Sequence, residues 1–248
     1  MNRKSYLFVL PLIALVLMSC RFGNIRIDRE RINGSGNLKT ETREVSNVER
    51  VALEDIGDLT IIQGDTEGLT VEADDNILQY IETEMRGREL VLKVQDGYQV
   101  SSNPTIRYTL RVKNLNRISV AGAGNVEAES LEVGDLNLDV AGAGNVNLSN
   151  LQADRLTAET SGSGNFNLDG KVASQNIIIT GAGNYSAGAL ESGSADVTIT
   201  GAGNVTVWAV DELDIRINGF GDVSYYGSPE VSQSITGGGA VKSLGQAK

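Results

Sequence analysis

A tetrad of the form Gly-x-Gly-Asn recurs along the second half of the chain, with first glycines at 122, 142, 162, 181 and 201 and degenerate copies at Gly219 and Gly237. Successive copies lie 20, 20, 19, 20, 18 and 18 residues apart, a period that belongs to stacked repeat units rather than to an irregular globular mixture. Aligned on the first glycine, the repeats resolve into columns. Two places before it stand Val120, Val140, Thr160, Ile179, Ile199, Ile217 and Ile235. Four places after it stand Val126, Val146, Phe166, Tyr185, Val205, Val223 and Val241. Further apolar columns stand four before it (Ile118, Leu138, Ala158, Ile177, Val197, Ile215) and, more loosely, six after it (Ala128, Leu148, Leu168, Ala187, Val207). The positions between on each side are mostly polar (Asp139, Glu159, Thr198, Arg216; Glu127, Asn147, Asn167, Thr206), so each tetrad is flanked by two short strands with one buried face each. A third apolar column, nine places on (Leu131, Leu151, Leu190, Val210), marks a further inward corner.

The simplest object that satisfies these columns is an all-β solenoid: a single parallel β-helix with coils of about 20 residues, in which equivalent side chains stack from rung to rung. An antiparallel meander is the competing arrangement. It needs a tight turn at both ends of every strand pair, whereas here the second connection is longer and carries its own apolar column. The glycines are expected to let the chain turn sharply between two faces. Asn125, Asn145, Asn165, Asn184 and Asn204 are expected to form a ladder, because an amide can donate to the amide on one side and accept from the one on the other. A dinucleotide fingerprint requires a third glycine and a following helix, and calcium-binding repeats require a nine-residue period with recurrent aspartates. Neither pattern is present.

The first part of the chain is organised differently. Residues 1–19 pair Arg3 and Lys4 with an apolar run from Tyr6 to Met18, too short to span a bilayer comfortably, and read as an export signal. The run closes on Leu17-Met18-Ser19-Cys20, a lipobox pattern that makes Cys20, the sole cysteine, the expected lipidation site. Residues 20–44 then read as a lipidated tether and 45–242 as one folded domain, with its repeats over 118–242. Strand-like segments separated by Gly57-Asp58, Gly64-Asp65 and Asp96-Gly97 fill residues 48 to 113. Residues 77–85 fit either a short helix or a bulged strand.

The serial GSGN and GAGN turns behind a strand-rich first part resemble the head GIN domain family of auto-transporter adhesins, over about residues 45 to 242. The resemblance implies a right-handed β-helix, like pectin lyases in shape but without their catalytic residues, and a role in adhesion. The copies Gly219-Phe220-Gly221-Asp222 and Gly237-Gly238-Gly239-Ala240 depart from the family pattern, and the ladder is expected to end there.

Charge and composition narrow the function. Loss of Arg3 and Lys4 with the leader takes the formal charge from −11 to −13, which disfavours nucleic acid and anionic lipid as partners. The absence of histidine removes the commonest general base, most zinc sites and the usual nucleophile triads. A carboxylate-only polysaccharide-active enzyme would need converging acids, and the nearest set is Asp139 beside Glu159 with Arg155. Scattered outward acids are the expectation for so acidic a chain, so no catalytic residue, metal or cofactor is assigned. Trp208 and Tyr226 fall in one outward column on neighbouring rungs, and Phe220 sits at the intervening turn tip. Together they form the candidate binding surface, for a glycan or a cell-surface protein. The expectation is a non-enzymatic lipoprotein anchored to the outer membrane, acting as an adhesin or binding scaffold, with a structural periplasm-facing role as the alternative. The sequence assigns neither membrane face nor oligomeric state.

Overall fold

The computed structural model describes residues 29–101 and 105–247. The leader, Cys20 and the first part of the tether lie outside them.

Val, Ile and Leu in alternation give strands with one buried face, and here the strands pair in parallel with the next repeat rather than with their own neighbours. Asn125–Ala128 pairs with Asn145–Leu148, which pairs with Asn165–Leu168, while Arg117–Val120 pairs with Asn137–Val140. The chain thus forms a β-solenoid of about six turns with roughly 20-residue coils. Val120, Val140, Ile179, Ile199 and Ile217 are all buried, as are Val126, Val146, Phe166, Tyr185, Val205 and Val223 on the facing wall. Phe166 and Tyr185 pack with ring centroids 5.9 Å apart and planes tilted by 54°. Burying an aliphatic side chain of this size contributes about 1.5–3 kcal/mol, so the two columns supply much of what holds the rod together.

Two members of the expected columns are exposed, and Val241 is only partly buried. Val210 is 44% exposed and Ala209 takes the inward place. The coil that contains them is shorter than its predecessor, and its register jumps between Ala187/Glu191 and Val207/Trp208, which rotates Val210 outward. Ile235 is 39% exposed: it pairs with Ile217 on one side, and among the described residues no rung covers its other side.

One rung of the solenoid comes from far earlier in the chain. Arg50–Leu53 pairs in parallel with Arg117–Val120, and Ile56–Ile61 with Ala123–Ala128, so Gly57 and Asp58 align with Gly124 and Asn125. Beyond it Glu89–Leu92 and Arg107–Val112 form another parallel layer. Gly68–Asp74 and Ile81–Arg86 then cover that layer in antiparallel fashion, and Leu38–Arg43 adds a further antiparallel edge. This antiparallel layer ends the run of parallel rungs on that side of the solenoid. Residues 77–85 combine both expected forms: a 3-10 turn at Leu78–Tyr80 leads into the strand Ile81–Arg86.

Candidate binding groove

The tetrad corner is built from close approach. The first glycines at 122, 142, 162, 181 and 201 do not adopt positive φ, so conformational freedom is not why they are glycine. Space is: a Cβ on Gly142 would stand 1.8 Å from the carbonyl oxygen of Gly122 and 2.5 Å from that of Ala121. Here the amides of Ala143, Ser163, Ala182 and Ala202 donate to Gly122, Gly142, Gly162 and Gly181 at 2.8–2.9 Å.

The asparagines follow on the same corner. Asn145 Nδ2 donates to Asn125 Oδ1 at 2.9 Å, Asn165 to Asn145 at 2.9 Å, Asn184 to Asn165 at 3.0 Å and Asn204 to Asn184 at 3.3 Å. Every member donates toward the N-terminus, so the first member has only to accept. That place is held by Asp58, whose carboxylate accepts from Asn125 at 2.8 Å. At the other end Asp222 donates its backbone N–H to Asn204 and accepts from the amide of Ala240. A carboxylate has no proton to give, which suits a terminal acceptor and would fail in mid-ladder.

Farther along the same strands, the residues two and four places beyond the asparagines face outward as well and form the outward columns. Trp208 and Tyr226 are register partners on adjacent rungs, and both are half-buried. They wall a hollow of about 810 Å³ whose floor includes Asn167, Asp169, Ser186 and Thr206, and whose far end is closed by Leu244. Tyr226 reaches back across one rung: a Cβ on Gly188 would lie 2.9 Å from its ring and 3.2 Å from Thr206 Cγ2. Glycine at 188 therefore lets the ring lie flat along the strand surface. Phe220 is elsewhere. It is 72% exposed on the tetrad corner, bridged between Ala202 and Gly238, and does not line the hollow. The turn tip belongs to the ladder side of the coil, so sequence proximity to Trp208 did not bring it to the same face.

Trp208 is fixed from inside the rod. Tyr185 Oη donates to Gln175 Oε1, Gln175 Nε2 donates to Ser192 Oγ, and Ser192 Oγ donates to the Trp208 carbonyl, each at 2.8 Å. All three side chains are buried. Burial pushes the Tyr185 phenol far above its ordinary pKa, so it stays a neutral donor. Repeat alignment places Gln175 in an otherwise aliphatic column with Leu156 and Ala195. That lone polar intruder was the available sign of the network.

The acids weighed for catalysis do not assemble. Asp139 and Glu159 are adjacent in register, but Asp139 pairs with Arg117 at 3.1 Å. Arg155 turns away to grip Asp135 through two hydrogen bonds of 3.0 and 2.9 Å. Among the described residues there is no group of three or more metal-ligating side chains, and no helix is long and apolar enough to cross a membrane.

Comparison with known proteins agrees with this architecture. A putative adhesin from Bacteroides fragilis is 26% identical and superposes with a TM-score of 0.81, covering 86% of this chain and 100% of that one. A putative adhesin from Parabacteroides distasonis is 25% identical, with a TM-score of 0.69 over 87% and 100% of the two chains. A protein of that species described as a putative lipid binding protein shares the fold at 22% identity and a TM-score of 0.66, over 87% and 100%. A search of curated proteins returned no match. The family model described as "Putative auto-transporter adhesin, head GIN domain" matches residues 47–229, and the chain belongs to that family.

Proposed function

We propose that this chain is a non-enzymatic adhesin of the bacterial cell envelope, a binding rod held to the outer membrane by lipid on Cys20. The observation that carries the reading is the hollow beside Trp208 and Tyr226: a partly exposed aromatic pair, backed by a buried hydrogen-bond network, on a rigid scaffold. Aromatic side chains present large contact area with little rotamer freedom to lose, and interfaces favour them for that reason. Family membership and the adhesin-described relatives support binding over catalysis. The isolated carboxylates support it too, since a glycosidase pair must face one bond from both sides.

The test has two parts. Labelling cells with an alkyne fatty acid should mark the full chain, and Cys20→Ser should abolish the mark. Protease added to intact cells should then degrade the protein, and beads coated with the purified mature chain should adhere to target cells or matrix. A chain that is unlabelled, protected from protease and non-adhesive would overturn the proposal and favour the structural periplasmic role.

A further inference from the structure

We propose that the outward face following the tetrads binds an uncharged polysaccharide, laid along the rod axis with Trp208 and Tyr226 as its stacking platform. This rests on the binding reading above and names the ligand class.

The shape of the face comes first. A second hollow, of about 470 Å³, lies toward the N-terminal end of the same face and is lined by Thr60, Gln63, Glu127, Glu129, Asn147 and Ser149. It meets the first where Asn147 pairs with Asn167 on the next rung. The two thus lie end to end along one face, a track that crosses successive rungs at a spacing of about 4.8 Å. A sugar unit in an extended glycan advances by a similar distance, so a chain can offer like groups to each rung in turn. A compact ligand would use one rung and leave the others idle.

The chemistry of the lining comes second. Thr60, Asn147, Asn167, Ser186 and Thr206 place neutral hydroxyls and amides outward along the track. Such groups both donate and accept, which matches the hydroxyls of a sugar chain. At the C-terminal end the column changes from Glu129, Ser149 and Asp169 to Trp208 and Tyr226, whose ring faces suit the C–H faces of pyranoses. The charge of the track is the third point. Glu127, Glu129 and Asp169 line it, and neither hollow has a Lys or Arg in its lining. A uronate, sulfate or phosphate chain would meet only like charge there.

The platform is also built to hold its place. The Trp208 backbone is tied to the buried Ser192–Gln175–Tyr185 network, and Tyr226 rests over Gly188. Groups fixed before binding lose less entropy when a ligand arrives.

Trp208 is the only tryptophan in the chain, so its emission reports on the platform directly. The purified mature chain is applied to a printed array of neutral glycans and of uronate- or sulfate-bearing glycans. Soluble oligosaccharides of the glycans retained are then titrated against Trp208 emission. The expected result is retention confined to uncharged glycans, an emission change that saturates, and affinity that rises with chain length. Tyr226→Ala should weaken binding about tenfold with an unchanged melting temperature. Ser186→Arg, which obstructs the track floor without touching either ring, should weaken it as well. The proposal is overturned by retention of acidic glycans alone, by no retention on the array, or by binding that neither substitution alters. Beads that still adhere to cells while the array stays blank would sink the glycan assignment and leave the adhesin reading intact. Loss of both would sink both.

Discussion

The two corners of each coil are made of the same strands and obey opposite rules. At the tetrad corner the pattern repeats from Gly122 to Gly219 with near-constant geometry: glycine against carbonyl, amide against amide. At the far corner the register slips between Leu148 and Leu151, again between Asn167 and Asp169, and by three residues between Ala187 and Glu191. One corner keeps the rungs aligned, which leaves the other free to vary in length and side chain. The groove sits where that variation is greatest, beside the longest slip. Individual chemistry on a repeat scaffold requires such a division, because a fully periodic rod would present the same surface at every rung.

If the tetrad corner sets the register, the largest effect should come from crowding it. Gly142→Ala drives a Cβ into two carbonyl oxygens of the preceding rung, neither of which is the free end of a side chain. The expected loss is about 3 kcal/mol of folding stability, read by urea denaturation of the mature chain. Gly188→Ala at the far side meets only side-chain atoms, of Tyr226 and Thr206, which need shift by only a few tenths of an ångström, and should cost less than about 1 kcal/mol. Equal losses at the two sites would erase the distinction between the corners.

The second effect tests whether the far side has its own internal support. Tyr185→Phe keeps the ring and its packing on Phe166 but leaves Gln175 Oε1 buried without its donor. An orphaned buried acceptor costs about 1–3 kcal/mol. The same substitution should alter the Trp208 emission maximum, because Ser192 links the network to the Trp208 carbonyl. A stability loss with unchanged emission would show that the network braces the core but not the groove. The third effect is smaller. Asn165→Ala removes one rung of the amide ladder at an exposed site, and about 1 kcal/mol is expected, measured by the same denaturation.

The division between corners also explains what the amino-acid sequence revealed. The aliphatic columns, the coil length and the stacking of the asparagines followed from the period, because the tetrad corner fixes them. The earlier rung was hidden. Asp55-Ile56-Gly57-Asp58 lacks the first glycine and stands apart from the periodic block, and only the pairing of Asp58 with Asn125 identifies it. Its Gly-Asp end, shared with Gly221-Asp222, was a faint clue that both belong to ladder termini. Alternation placed Trp208 and Tyr226 outward on adjacent rungs, and the tetrad placed Phe220 at an exposed turn tip, but its grouping with the pair fails because position within a turn does not tell which surface the tip serves. Val210 was misread because a fixed offset from the glycine fails once a coil shortens. Nothing local marked Gly188 as the bed for a ring two rungs away.

The smallest effect concerns the ion pairs that bridge rungs near the far corner. Arg155 holds Asp135 across adjacent coils, and Lys171 holds Glu191 at 2.6 Å. Both lie in solvent, where water screens the attraction and ordering two long side chains offsets most of what remains. The Arg155 hydrogen bonds hold the Asp135 carboxyl below its ordinary pKa, so the sign of its contribution is determined. A depressed folded-state value stabilises at neutral pH, and the gain disappears as pH falls through that value. Asp135→Asn should therefore leave the melting temperature at neutral pH nearly unchanged and slightly flatten its decline in acid. A marked loss at neutral pH would mean that charge, rather than the glycine and asparagine columns across the coil, sets the alignment of the rungs.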